Sequence, residues 1–146
     1  VLMHHPELKQ GAHHRLTEMG LPPIEEKDFA SQYRLIWSSW SQMLEHPELE
    51  LEDFLPSDML ELVQSWVDKA IPDNPPAQWE RDIVRAILRL RDNRLRDELR
   101  QNQSALRSAQ IEQDLEAIAS MSKRIVDISG KLRRIQWALA QRPARV

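Results

Sequence analysis

Imidazole can serve as metal ligand or general base, so the five histidines are the first candidates for chemistry. They stand as His4-His5, His13-His14 and His46. His5 and His13 fall on opposite sides of Pro6, and no well-spaced carboxylate completes a ligand set. The chain has no cysteine, which excludes disulfides, thiol catalysis and thiolate metal sites. The acidic pairs Glu25-Glu26 and Glu52-Asp53 fall in expected turns, where carboxylates cap helices or meet solvent. An acid/base dyad needs a cleft that drives two pKa values apart, and short helices give no sign of one. Ser38, Ser39 and Ser41 share one expected helix with no base at a recognisable spacing. With only Gly11, Gly20 and Gly130, no glycine-rich phosphate loop can form. The expectation is a non-enzymatic chain with no catalytic residue, no metal, no cofactor and no small-molecule substrate.

What must position any other function is helical. Of 146 residues, 41% are hydrophobic and 29% charged, a folded rather than disordered balance. Leu, Ala, Glu, Arg and Gln dominate and β-branched residues are few, which favours helix throughout. No run approaches the ~18 apolar residues that span a bilayer, so no membrane is expected, and the missing cysteines fit a reducing, cytoplasmic setting. The opening Val1-Leu2-Met3, already apolar, reads as a cut from a longer protein. Charge is uneven: residues 1–79 hold 5 Lys/Arg against 14 Asp/Glu, and residues 80–146 hold 15 against 9. Glu80, Asp82, Asp92, Asp97 and Glu98 interrupt the arginine run of the second part, at spacings that allow i,i+3 and i,i+4 pairs.

Prolines and capping residues cut the first half into short helices. One is expected from about Glu7 to Met19, stopped by Gly20 and Leu21-Pro22-Pro23. A second follows Ser31 as N-cap, with Tyr33, Ile36, Trp37, Trp40, Met43 and Leu44 on its buried face, and ends before Pro47. Leu51, Phe54 and Leu55 form a packed turn. Ser57 then caps a helix carrying Leu60, Leu62, Val63, Trp66 and Val67. Trp37, Trp40 and Trp66 are expected in the core. After the linker Ile71 to Pro76, Asn74 is the expected N-cap and Pro75 the first residue of a long helix.

No proline or glycine interrupts the chain from Ala77 to Gly130. Trp79, Ile83, Ile87, Leu88 and Leu90 make a wide apolar stripe. It narrows to Leu95, Leu99, Asn102, Leu106 and Ala109, as for a helix packed on one partner. Ile111, Ile118, Ile125, Leu132 and Leu139 recur at sevens, with Met121, Ile128 and Ile135 between them; Asp114 interrupts the first d position. Two such seams flanking Ser108–Asp114 predict an antiparallel hairpin, although its connection of Gln110, Gln113 and Asp114 lacks a glycine. The fold expected is therefore all-α: a small bundle of short helices (1–90), a long connecting helix, and a C-terminal helical hairpin (91–146).

Val126, Trp137 and Ala138 lie off the seam and offer a docking strip. Trp137, flanked by Arg133, Arg134 and Arg142, has the composition of an interface anchor.

The run His5-Pro6-Glu7-Leu8, then Gly20-Leu21-Pro22-Pro23, then Asp28-Phe29 with Arg34 and Ile36-Trp37, resembles the opening of the C-terminal domain of DnaG-type bacterial DNA primases. Leu88-Arg89-Leu90-Arg91 and Arg94 to Leu99 resemble that family's long helix, and Leu115 to Leu139 its closing helix. The resemblance implies a module that docks a primase on the N-terminal domains of the hexameric, DnaB-type replicative helicase and modulates it. The zinc-binding and polymerising domains would then lie outside this chain. It implies that the hairpin supplies most of the binding, and Arg133, Arg134, Gln136 and Trp137 are the residues expected to carry it. Nucleic-acid contact would be indirect or weak. The helicase's own N-terminal domain has a related architecture and is an alternative. A basic nucleic-acid-binding module along Arg81–Arg107 and a coiled-coil homodimer are two more.

Overall fold

The computed structural model describes residues 1–141. Among these the chain is all-α, with helices α1 (Leu8–Glu18), α2 (Ser31–Glu45), α3 (Ser57–Val67), α4 (Pro76–Glu112) and α5 (Leu115–Ala140). Short 3-10 turns stand at Glu26–Asp28 and Leu51–Asp53. Contacts divide the chain into two compact units, Val1–Val84 and Arg85–Val146.

In the first unit α1 ends as Gly20 predicts. Gly20 takes φ +70°. Its N–H donates to Thr17 O, and that of Leu21 to Leu16 O, which together satisfy two carbonyls the helix end leaves open. Leu8, Ala12 and Leu16 form the buried face of α1. Lys9 fastens α1 to α2: its ammonium lies 5.2 Å from the Trp37 ring and 5.7 Å from that of Trp40, and donates to Ser41 Oγ at 3.4 Å. Trp37 packs in turn on Phe29 and Trp40. Against the start of α4, Arg15 donates to Glu80 at 2.9 Å. A side chain on Gly11 would collide with the Glu80 carboxylate, so glycine lets that ion pair sit against α1. Ile36, Leu55 and Val63 join α2, the second turn and α3, with Met3, Leu51, Phe54, Met59 and Leu60 packed around them.

Several expectations need correction here. Ser31 and Ser57 are the first residues of their helices; Ala30 and Pro56 hold the cap positions, without side-chain cap bonds. The long helix likewise starts at Pro76 rather than Pro75. Trp40 is buried as expected and Trp37 half-buried, but Trp66 is 36% exposed, its ring 5.9 Å from that of Tyr33. Tyr33, Leu44, Leu62, Val67 and Leu90 are exposed too. In α3 the reason is size: the helix has 11 residues and packs through Met59, Leu60 and Val63, which leaves Leu62, Trp66 and Val67 wet.

In the second unit α4 packs against α5 as a hairpin. Residues equally distant from a two-residue turn share a level in an antiparallel pair. Leu95 is thus level with Leu132, Leu99 with Ile128, Asn102 with Ile125, and Leu106 with Met121. Leu95, Ala109, Ile128, Leu132, Ile135 and Ala138 are buried. Two polar residues share this seam. Arg91 is buried, and Asn102 is half-buried with its Nδ2 donating to Glu98 O at 2.8 Å. Polar groups at seam positions fix register at some expense of stability.

The reversal needs only Gln113 and Asp114. Gln113 takes φ 56°; its N–H donates to Gln110 O and that of Asp114 to Ala109 O, the same closure seen at Gly20. Asp114 Oδ1 then accepts from Ala117 N at 3.1 Å and caps α5. Asp114 is thus an N-cap and not a failed seam position. Ile111 sits in the last turn of α4, before the reversal, and is 84% exposed; the seam of α5 begins at Ile118. A side chain in the left-handed region costs about 1 kcal/mol that glycine avoids. Gln113→Gly should therefore raise hairpin stability by about 0.5–1 kcal/mol, read as a later denaturation midpoint.

Candidate functional site

The residues that might have done chemistry are engaged in local structure. His4 Nε2 meets Val67 O at 2.8 Å, and His5, His14 and His46 pair with Glu7, Glu18 and Glu48. Among the described residues no group of three His, Asp or Glu side chains could hold a metal ion. The acidic turns are capping boxes: Glu25 with Asp28, and Glu50 with Asp53, each closing a 3-10 turn. The Glu50 carboxyl is held above its ordinary range, first by its hydrogen bond to Glu52 and then by the charges of Glu52 and Asp53. That group is fully exposed, so crowding rather than a catalytic cleft is the cause. Ser38 donates to Glu26 at 2.7 Å, and Ser39 is buried.

Part of the arginine run of α4 is engaged within its own helix. Arg96 pairs with Asp92 at 2.8 Å, Arg100 with Asp97 at 3.1 Å and Arg94 with Glu98 at 3.7 Å, while Arg81 donates to Gln78. The three carboxylate contacts are the i,i+3 and i,i+4 pairs that the interleaved acids allow, while Gln78 brings Arg81 no counter-charge. They reduce the positive field that a nucleic-acid stripe along Arg81–Arg107 would need.

That leaves the surface of α5. Its N-cap and its seam with α4 fix the helix's rotation, and hence which residues face away. Val126 is 67% exposed and Trp137 57%. Ala138 is buried beside Ile135, so it belongs to the seam and not to the docking strip. Arg133, Arg134 and Gln136 are all exposed. At about 100° per residue, Arg133 and Trp137 fall on nearly the same line, with Arg134 and Gln136 to either side. The four expected residues thus form one outward patch around an indole. Gln141 Nε2 donates to Trp137 O at 3.2 Å across the helix end. Arg142 lies outside the described residues.

No family model, curated protein or solved structure matches this chain. What the surface can do is therefore read from its chemistry: an exposed indole among guanidinium groups suits a partner with an apolar pocket and acidic rim.

One feature of α5 was missed from sequence. Leu115 is 79% exposed and stands on the same line as Val126 and Trp137, each eleven residues from the next. Seven-residue counting places the seam but is blind to an eleven-residue line on the opposite side.

Proposed function

We propose that this chain is the helicase-interaction module of a bacterial replicative DNA primase. It docks the primase on the N-terminal domains of the hexameric, DnaB-type replicative helicase and modulates that helicase during primer synthesis. The observation that carries the reading is the exposed Trp137 with Arg133, Arg134 and Gln136, on the outward side of a long helical hairpin. The order of the motifs from His5-Pro6-Glu7-Leu8 to the closing helix supports it, as does an all-α chain in which a set of short helices is followed by a hairpin. On this reading the module is non-catalytic, and polymerisation would belong to domains outside this chain. Docking raises the effective concentration of the primase beside emerging template without altering its chemistry. Nucleic-acid contact is indirect or weak on this reading. Both proteins act in the cytoplasm, and among the described residues no helix is long and apolar enough to cross a membrane.

The test is a titration of the chain against the intact helicase. Micromolar or tighter binding is expected. Trp137→Ala should weaken it roughly 30-fold, the ~2 kcal/mol typical of an aromatic hot spot. An intact helicase that binds nothing would sink the reading. Affinity for DNA that falls steeply with salt would favour a nucleic-acid module instead.

A further inference from the structure

The charges of the hairpin are sorted by face. In an antiparallel pair, residues reached by turning the same way from the seam on each helix share one face. One face mixes both signs: Arg94, Glu98 and Glu112 of α4 stand beside Arg124, Asp127 and Lys131 of α5. On the other, α4 presents Arg89, Arg96, Arg100 and Arg107, bordered by Ser122, Ser129 and Gln136 of α5. At about 100° per residue these four arginines fall within about 40° of arc, along about 27 Å of helix. All four are exposed.

Counter-charge along this strip is scarce. Asp92 and Asp97 stand at its two borders, and each already holds one arginine, Arg96 at 2.8 Å and Arg100 at 3.1 Å. Arg107 has no Asp or Glu three or four residues away, and Asp92, three from Arg89, is given to Arg96. Arg96 and Arg100 also stand four apart, where like charges destabilise a helix. Solvation alone would be served as well by the mixed charges of the opposite face.

The composition of the strip decides what it fits. Asn93 and Gln103 fill the intervals between the arginines, and guanidinium, amide and hydroxyl groups are the set that contacts phosphate oxygens. A protein partner would look for an aromatic or aliphatic anchor, and a membrane surface for an apolar side to bury. Between Arg89 and Arg107 the strip offers neither. A single strand would look for rings on which its bases stack, and none stands here. A duplex needs only its backbone charge neutralised.

We infer that this face of the hairpin lies along the phosphate backbone of a nucleic-acid duplex, in a weak contact that reads no sequence. The pairs with Asp92 and Asp97 do not prevent it, because exposed ion pairs contribute little and phosphate can take the place of the carboxylate. The contact goes beyond the helicase reading and does not rest on it.

The test titrates a short labelled DNA duplex with the full chain between about 50 and 200 mM salt, and each variant is melted separately. Micromolar or weaker binding is expected at the lower salt. Log K should fall against log salt with a slope no steeper than about −3.6, the limit for four arginines at about 0.9 each. Arg89→Glu combined with Arg107→Glu should bind at least roughly tenfold more weakly and flatten the slope by about 2. Lys123→Glu combined with Arg124→Glu makes the same change of net charge away from the strip, and should lose no more than about threefold. Equal losses by the two pairs would show attraction by net charge alone and overturn the inference, as would no binding at about 50 mM salt. A single strand, or a polyglutamate of equal charge, that displaces the duplex at equal concentration would put a different occupant on the strip and also overturn it. Titration against the helicase decides the docking reading separately. Duplex binding lost with Arg89 and Arg107 upholds the inference whether or not the helicase binds, and a helicase that binds nothing sinks the docking reading alone.

Discussion

Trp40→Ala should cost the first unit about 3–5 kcal/mol, enough to threaten a domain whose whole stability is of the order of 5–15 kcal/mol. Trp40 is only 2% exposed. Its removal opens a cavity beside α1, strips Trp37 of a ring partner 5.4 Å away, and takes away one of the two indoles over Lys9. The measurement is near-UV circular dichroism through a urea titration, since that signal reports packed aromatic side chains. The midpoint should fall sharply or the packed signal vanish in buffer. Trp40→Phe keeps a ring and should retain a cooperative transition. Lys9→Met should lose about 0.5–1 kcal/mol, because the aliphatic stem still packs while the cation–π contact is gone. Near-normal behaviour of Trp40→Ala would mean that the core of the first unit lies elsewhere.

That core was legible in part, and the limits are physical. Gly20 announces the end of α1 because the left-handed closure there favours glycine. Pro47 marks the end of α2 because the residue before proline avoids helical backbone. The face of α2 follows a 3.6 period, which holds for Ile36 and Trp40 and fails for Tyr33 and Leu44. Periodicity states which side a residue takes, not how far the neighbouring elements extend to cover it. Trp66 makes the same point: a large apolar residue was assigned to the core on type alone, and it ended 36% exposed against Tyr33. Ser31 and Ser57 looked like caps, but a cap is a backbone conformation as well as a side chain. Here that conformation falls one residue earlier.

In the candidate site, Ile111 to Ile118 kept a seven-residue step by coincidence. The chain reverses between them, and a count along the sequence cannot register a turn made without glycine or proline. The outward set of Arg133, Arg134, Gln136 and Trp137 was legible because the seam of Ile128, Leu132 and Ile135 fixes the rotation of α5. Ala138 was misplaced because it lies at the edge of that seam, where about 60° of rotation separates buried from exposed.

The division of α5 into a buried seam and an exposed side yields the other large effect. Leu132→Ala should destabilise the hairpin by about 2–5 kcal/mol, while Val126→Ala, six residues away, should shift it by about 0.5 kcal/mol or less. Leu132 is buried at the level of Leu95, midway along the seam; Val126 is 67% exposed. A hairpin has no second layer to refill a cavity at its seam, so the loss at Leu132 should approach the upper part of that range. Hydrogen exchange at the amides of α5 would read it, because these amides are protected only while α4 and α5 stay paired or the lone helix persists. The two effects should cross over in binding. Val126→Ala should weaken helicase binding in a chain of nearly parental stability, whereas Leu132→Ala should weaken it only in proportion to the hairpin population lost. Equal destabilisation by both would show that the rotation of α5 is not the one described, and the outward patch would have to be redrawn with it.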